Sequence, residues 1–199
     1  MSFSDAEKVL IDQDPILGTL IRSQHTITLR PERDYFEALA SSIVSQQISV
    51  KAAASIFARF KGSTDLKPER VALLDDEQTK AIGLSAQKTK YLKDLANHFM
   101  QDSAVFNHLD SLNDDEVISE LTRVKGIGVW TAQMFLIFTL HRADVFAPDD
   151  RGLQLAIQKL YKFSELPGRA ELEEFATHWT PYRSTACLHL WRSLDNEPK

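Results

Sequence analysis

Two adjacent carboxylates, Asp149 and Asp150, are the side chains of this 199-residue sequence that most suggest chemistry. They follow Pro148 and precede an apolar helical pattern that starts at Leu153. An aspartate after a proline commonly caps the next helix, so we expect one of the pair to be an N-cap. The other would then point into a cleft. There it could stabilise positive charge that develops on a sugar ring as a glycosidic bond breaks.

A glycine motif upstream of these aspartates offers a way to bind phosphate. Residues 124–131 read Val-Lys-Gly-Ile-Gly-Val-Trp-Thr. Gly126 and Gly128 allow a tight turn, and Ile127 between them anchors that turn in the core. A helix that begins at about Val129 presents its first N–H groups there, and such a helix start binds phosphate without a charged side chain. A plain helix–helix turn is the alternative that this short motif leaves open.

The charge and cysteine content narrow the function classes. The net charge of −5 and the lack of a dense basic stretch argue mildly against nucleic acid, unless backbone amides make the contact. The single cysteine, Cys187, excludes an internal disulfide framework and a four-cysteine zinc or iron–sulfur site. We see no secretory signal and no membrane-spanning run. We therefore expect a soluble protein without a membrane partner, cytoplasmic and nucleoid-associated in a prokaryote or nuclear in a eukaryote. We also expect a monomer.

Helical periodicity dominates the elements that must position these groups. Few glycines and prolines, seven of each, also favour helix over an all-β chain. One stripe comprises Phe36, Leu39, Ala40, Ile43 and Val44. Further helices are predicted at 52–60, 86–100 with Ser85 as the cap, 113–121 with a capping box, 130–140 as a buried central helix, 153–161, 172–179 and 182–194. The sequence thus predicts an all-α fold of about ten helices with short connections.

Five ordered blocks of sequence together resemble a known family. They are Ser42–Ser49 with Ala52 and Ala53, Gly83–Leu92, Leu121–Leu136, Asp144–Asp150, and Trp179–Trp191 with the pattern Trp-x-Pro-Tyr-Arg-Ser-x-Ala-x-x-His-x-Trp. The set resembles the helix-hairpin-helix DNA glycosylase superfamily, and more narrowly its 3-methyladenine DNA glycosylase II branch. The resemblance covers about residues 30–192. It implies a single compact domain of two lobes with a cleft between them, one at about 34–140 and the other at about 1–30 plus 145–199.

The resemblance also implies a role for each matching residue. Asp150, and not Asp149, matches the catalytic aspartate. Lys125, Gly126, Ile127, Gly128 and Thr131 match the phosphate-binding hairpin, and a monovalent cation is often bound at the backbone around the two glycines. The base pocket is matched by Trp130, Trp191 and Met134, the last at a place where some relatives carry a tyrosine. Gln47 matches a residue that wedges into the duplex.

The implied chemistry is base excision from double-stranded DNA that contains alkylated bases. An N3- or N7-alkylated purine is cationic, so indole faces attract it and it is a good leaving group once flipped out of the stack. By its spacing, Gln47 is predicted to extend the apolar stripe of the Phe36 helix, where an unsatisfied amide is costly. Lys125, Val129 and Met134 depart from residues common in relatives, and we expect the compact form of the family, without the N-terminal β-rich domain of longer bacterial relatives.

Two features of the sequence predict a monofunctional hydrolase. Bifunctional relatives carry a Schiff-base lysine immediately before the residue that matches Thr131, and that place is held by Trp130. One cysteine cannot hold the iron–sulfur cluster of other relatives. Three alternatives stay open. They are an inactive module that binds damaged or branched DNA, an all-α protein-binding scaffold, and a glycosylase for hypoxanthine, uracil or ethenoadenine.

Overall fold

The computed structural model describes residues 4–29 and 34–195. Across them the chain forms thirteen α-helices and two 3-10 helices, without a strand. This confirms the predicted all-α class. It divides into two compact units, which we call the split unit (Met1–Arg30 with His141–Lys199) and the continuous unit (Pro31–Leu140).

Short loops join the helices of the continuous unit. These are α3 (Tyr35–Ser45), α4 (Val50–Thr64), α5 (Pro68–Ala72), α6 (Asp76–Ile82), α7 (Ala86–Gln101), α8 (Ser103–Phe106), a 3-10 helix (Leu109–Ser111), α9 (Asp114–Thr122) and α10 (Val129–Phe138). The long helix α7 packs against α3 and α5, and α10 packs against α9 and α3. Phe36 and Phe99 meet edge to face at 5.2 Å where α3 contacts α7. The core of this unit therefore positions the turn between α9 and α10.

The split unit combines the two ends of the chain. It contains α1 (Asp5–Gln13), α2 (Pro15–Ser23), α11 (Arg151–Tyr161), α12 (Arg169–Phe175), a 3-10 helix (Ala176–Trp179) and α13 (Arg183–Asp195). Trp179 is fully buried at its centre, with its ring 5.4 Å from that of Phe175. The indole N–H of Trp179 donates to the Asp14 carboxylate at 3.0 Å, and the Tyr161 hydroxyl donates to the same oxygen at 2.5 Å. Both polar groups of this core thus have partners.

The helix count exceeds the predicted ten because several helices are too short to show a period. Helices α5, α6, α8 and α12 have between four and seven residues. The buried central helix predicted at 130–140 is observed as α10, Val129–Phe138, and it is buried except near its ends, where Trp130 and Phe138 are 47% and 42% exposed. No helix of the described residues is long and apolar enough to cross a bilayer.

Candidate active site

The Asp150 carboxylate sits at the start of α11 in the split unit. Its Oδ1 accepts the backbone N–H of Leu153 at 2.7 Å, so Asp150 is the N-cap. The same oxygen accepts the indole N–H of Trp191 at 2.8 Å. The expectation that the two aspartates divide the capping and cleft-facing roles is wrong. Asp149 is no cap, because its exposed carboxylate pairs with the exposed Arg169 at 2.8 Å.

Helix α13 holds the segment that leads into Asp150. At the start of α13, the Arg183 guanidinium donates to both oxygens of Asp144, at 2.8 and 3.0 Å. The hydroxyl of Ser184 accepts the backbone N–H of Val145 at 3.0 Å. Further along the same helix, Trp191 reaches the carboxylate itself. One rigid helix therefore fixes both the approach to Asp150 and the orientation of its side chain.

Gly152 leaves room for this arrangement. A Cβ at Gly152 would lie 3.0 Å from Oδ1 of Asp150 and 3.3 Å from Cδ1 of Trp191. Such contacts are tighter than carbon atoms normally make, so the pair would have to move by a few tenths of an ångström. Glycine at this position thus allows the short bond between the carboxylate and the indole.

The predicted hairpin joins α9 to α10 in the continuous unit. Gly126 has φ +87°, and a Cβ there would lie 2.2 Å from the Tyr91 ring, so only glycine fits. Ile127 is 5% exposed, which confirms it as the anchor of the turn. Gly128 precedes α10 at φ −100°, with open space where a Cβ would be. No side chain caps α10 at this residue. Neither the backbone conformation nor the neighbouring atoms of the fold therefore require a glycine at position 128.

Three side chains from other elements fasten the hairpin. The Gln46 amide donates to the Gly126 carbonyl at 2.9 Å, and the Tyr91 ring packs against Gly126. Asp94 accepts the backbone N–H of Lys125 at 2.9 Å and lies 3.1 Å from its ammonium. Burial disfavours ionisation of Asp94, but the bonds from Lys125 outweigh it and lower the pKa of this carboxyl. Residues of α7 and the residue that follows α3 therefore hold the hairpin in place.

The predicted pocket residues Trp130 and Met134 both lie on α10. Trp130 is half-exposed in the first turn. Met134 lines a cavity of about 210 Å³ together with Thr131, Ser42 and Ser45. Thr131 is itself 7% exposed, so it supports the wall of this cavity more than it faces solvent. The third predicted pocket residue, Trp191, is half-buried beside Asp150.

Gln47 does not extend the apolar stripe of α3, and that expectation is wrong. Helix α3 ends at Ser45, and Gln47 is exposed in the following turn at φ +58°. Its neighbour Gln46 bonds the hairpin, so this turn and the α9–α10 turn lie side by side. The amide of Gln47 therefore needs no partner in the core.

Sequence reasoning gave no role to several residues that build the site. Four of them lie inside the blocks of resemblance, and this position is the sequence feature that could have identified them: Gln46, Tyr91, Arg183 and Ser184. No sequence pattern marks Gly152 or Asp94. Gly152 matters because it lies beside Asp150 and Trp191, and Asp94 matters because it bonds Lys125 on a separate element. Among the described residues no cluster of three or more His, Cys, Asp or Glu side chains could hold a metal ion.

The chain is similar to known DNA repair proteins in sequence and in fold. Residues 40–181 match the HhH-GPD superfamily of base excision DNA repair proteins. DNA-3-methyladenine glycosylase 1 of Schizosaccharomyces pombe is 32% identical over 81% of this chain and 73% of its own length. The crystal structure of a DNA-3-methyladenine glycosidase from Bacillus halodurans is 35% identical, with a TM-score of 0.86 over 97% of this chain and 90% of that one. A 3-methyladenine DNA glycosylase of S. pombe in complex with abasic DNA is 30% identical, with a TM-score of 0.83 over 98% and 100% of the two chains.

Proposed function

The chain belongs to the HhH-GPD superfamily of base excision DNA repair proteins and is a DNA glycosylase, and we propose that its substrates are alkylated purines of the 3-methyladenine and 7-methylguanine type. The observation that carries the proposal is the Asp150 carboxylate, oriented at a helix start by the backbone of Leu153 and the indole of Trp191. The names of the similar proteins point to the same lesion class.

The proposed reaction begins when the alkylated nucleotide leaves the base stack. The bond between C1′ and the purine nitrogen then breaks, and its electron pair neutralises the cationic base. Positive charge develops on the sugar, and the negative carboxylate of Asp150 stabilises it. A water molecule adds to C1′ and its proton passes to solvent, which leaves an abasic site. No strong general acid is required, because the base departs neutral.

We assign the remaining predicted residues to DNA and base contacts. The backbone N–H groups at the start of α10, next to Gly128, bind a DNA phosphate. The exposed Gln47, in the turn bonded to this hairpin, enters the duplex where the base has left. Trp130 and Trp191 offer indole faces to a cationic purine, and Met134 supplies an apolar contact.

The hairpin is also proposed to hold a monovalent cation at backbone carbonyls around Gly126 and Gly128. The Gly126 carbonyl has the acceptor capacity that binding such an ion requires. The Gly126 carbonyl accepts one hydrogen bond, from Gln46, and a carbonyl oxygen has two lone pairs. The ion would add positive charge near the phosphate. The amides at the start of α10 do not depend on it for their orientation, since the helix itself directs them.

A second function, a DNA-binding module without activity, is favoured by one observation. Asp150 has a purely structural task as the N-cap of α11, and this alone would account for an aspartate at this position. The two functions differ in what happens when the charge is removed but the cap is kept. Asparagine does this, because it caps helices as well as aspartate and can accept both bonds through its amide oxygen.

The decisive experiment compares base release from methylated duplex DNA by the wild type, Asp150→Asn and Asp149→Asn. We expect Asp150→Asn to lose excision by several orders of magnitude while its melting temperature and DNA affinity stay close to those of the wild type. Asp149→Asn should keep its activity, because it removes only an exposed ion pair worth less than about 1 kcal/mol. Equal effects of the two substitutions would refute the assignment of Asp150. DNA binding by a wild type that releases no base would establish the inactive module.

The same reactions test the absence of a lyase step. Borohydride should trap no protein–DNA adduct, and strands should break only on later alkali or heat, because Trp130 stands where a Schiff-base lysine is needed. Lys125 is the lysine of this motif, and its ammonium forms an ion pair with Asp94. An adduct that disappears in Lys125→Ala would contradict the hydrolytic mechanism.

A further inference from the structure

A buried polar cluster lies in the split unit, apart from the Asp150 carboxylate. It comprises Glu7 on α1, Gln24 after α2 and His189 on α13, which are 1%, 6% and 0% exposed. These side chains come from three distant parts of the chain. Neither the proposed reaction nor DNA binding uses any of them. Burying an ionisable pair is costly unless every polar atom has a partner, so the cluster needs an explanation.

The hydrogen bonds of Gln24 fix the proton on one ring nitrogen of His189. The Gln24 amide nitrogen donates to the backbone carbonyl of His189 at 3.1 Å. Its amide oxygen therefore faces Nδ1 of the imidazole, at 2.8 Å. Because that oxygen can only accept, Nδ1 must carry a hydrogen.

The surroundings of Glu7 fix the proton on the other nitrogen. One carboxylate oxygen accepts the N–H of Ser4 at 2.7 Å, and the other accepts the N–H of Ile27 at 3.3 Å. The second oxygen is also 3.0 Å from Nε2 of His189. Burial disfavours the ionised form of Glu7, but the bonds from Ser4, His189 and Ile27 outweigh it and lower its pKa. An ionised carboxylate can only accept, so Nε2 must donate as well.

We infer that His189 is a buried imidazolium paired with Glu7, and that this pair positions Trp191 against Asp150; the positioning role rests on the proposed function. Burial lowers the pKa of His189 below its ordinary value, because the opposing effect of Glu7 is smaller, so the ring keeps its second proton only through the two acceptors that it faces. The positive charge of Arg192, on the same helix, also lowers the pKa of His189. The basic side chains of neighbouring elements are exposed; they are Arg22 on α2, Lys159 on α11 and His178 before α13. A neutral ring protonated at Nδ1 would turn the Nε2 lone pair towards the Glu7 carboxylate. A neutral ring protonated at Nε2 would turn the Nδ1 lone pair towards the Gln24 amide oxygen, so either neutral form sets a lone pair against an acceptor.

The connection to the reacting carboxylate runs along α13. His189 lies two residues before Trp191 on this helix, and the cluster ties the helix to α1 and to the segment after α2. Trp191 then reaches Oδ1 of Asp150 at 2.8 Å. Hydrogen bonds weaken steeply when a donor shifts by a few tenths of an ångström or tilts. A small displacement of α13 would therefore weaken one of the two hydrogen bonds that orient the carboxylate, and the bond from Leu153 alone would remain. Glu7 and His189 are thus positioning residues.

The ring protonation is tested on the wild-type protein by ¹⁵N NMR of the histidine side chains. We expect both nitrogens of His189 to show the shifts of protonated imidazolium near neutral pH. A ring with one unprotonated nitrogen would overturn the assignment of the ion pair. This measurement does not depend on any variant that folds or on enzyme activity.

The positioning role is tested by Glu7→Gln, with Glu171→Gln on the exposed face of α12 as the matched control. We expect Glu7→Gln to slow single-turnover base release by about 10- to 100-fold, as small misplacements near a reacting group do. Its DNA dissociation constant should stay unchanged, because the hairpin belongs to the other unit. The control should match the wild type in both. A folded Glu7→Gln protein with the wild-type rate would overturn the positioning role. A wild type that releases no base would instead refute the proposed function, and the positioning role with it.

Discussion

Oδ1 of Asp150 accepts two hydrogen bonds that serve different purposes. The bond from the Leu153 backbone belongs to the helix, and an N-cap of this kind contributes about 1 kcal/mol to stability. The bond from Trp191 belongs to the orientation of the side chain and links α11 to α13. With Oδ1 fixed twice, rotation of the carboxylate about its side-chain bonds is restrained before substrate arrives. A preorganised charge of this type stabilises a developing cation without reorganisation during the reaction.

The Gly152→Ala variant tests this preorganisation. Its methyl group would approach Oδ1 of Asp150 at 3.0 Å and displace either the carboxylate or the indole. We expect base release to slow by about tenfold or more. The free energy of unfolding should change by less than about 1 kcal/mol, because alanine favours the helix while the crowding opposes it.

A matched control is Gly62→Ala in α4, where a Cβ would meet nothing within 4 Å. It should raise stability by up to about 1 kcal/mol and leave the rate unchanged. Enzyme assays and thermal melts of the two variants check both statements. An unchanged rate in Gly152→Ala would mean that the orientation of Asp150 tolerates the displacement.

At the level of elements, the α9–α10 hairpin contains two glycines with different requirements. Gly126 combines a positive φ with the close approach of Tyr91, so its glycine is needed for the fold. Gly128 has an ordinary φ and open space around it, so the fold gives no reason for glycine there. Close approach of a DNA phosphate to the start of α10 would supply that reason.

The prediction is that Gly128→Ala folds like the wild type and binds DNA of every sequence more weakly, by the same factor for each. A uniform loss is expected because the contact is to phosphate, which carries no sequence information. Gly126→Ala should instead be destabilised by more than about 1 kcal/mol, since it is strained and collides with an aromatic ring. Melting curves and binding titrations separate the two effects. Undiminished DNA affinity in folded Gly128→Ala would remove the phosphate-binding role.

Elements were predictable from sequence where a local pattern decides them. The stripe of Phe36, Leu39 and Ile43 is buried in α3, and the caps Ser85 and Asn113 stand where their side-chain patterns placed them. The expectation for Gln47 was wrong for a physical reason. Gln47 follows the apolar period by count, but α3 ends before it, and periodicity does not report where a helix stops.

The aspartate pair shows the same limit more sharply. Pro148 predicts a cap nearby, but either Asp149 or Asp150 satisfies that pattern. The cap is Asp150, whose Oδ1 accepts the N–H of Leu153, and the indole of Trp191, 41 residues further along the chain, bonds the same oxygen. Contacts of that kind are invisible to spacing rules, as is the Gln46 bond to the hairpin across 80 residues.

At the scale of the whole molecule, DNA binding must work against an unfavourable charge. The sequence has 23 basic and 28 acidic residues, a net charge of −5. The excess of acidic residues is not confined to one unit of the chain, because residues 31–140 have twelve basic and fifteen acidic side chains. Long-range attraction therefore contributes little to DNA affinity. Backbone dipoles at the start of α10 have to supply a larger share of the phosphate contact than lysine or arginine.

This charge distribution predicts a shallow dependence of DNA affinity on salt. Each phosphate neutralised by a cationic side chain adds about −0.9 to the slope of log K against log salt, whereas backbone amides add no such charge. We therefore expect a slope no steeper than about −3, measured by titrating a duplex with an abasic site at several KCl concentrations. Lys125→Ala should flatten the slope by at most about one unit, because Asp94 already offsets the charge of Lys125. Gly128→Ala should lower the affinity at every salt concentration and leave the slope unchanged, since it alters a dipolar contact only. A slope near −6 or steeper would show instead that cationic side chains dominate the contact with DNA.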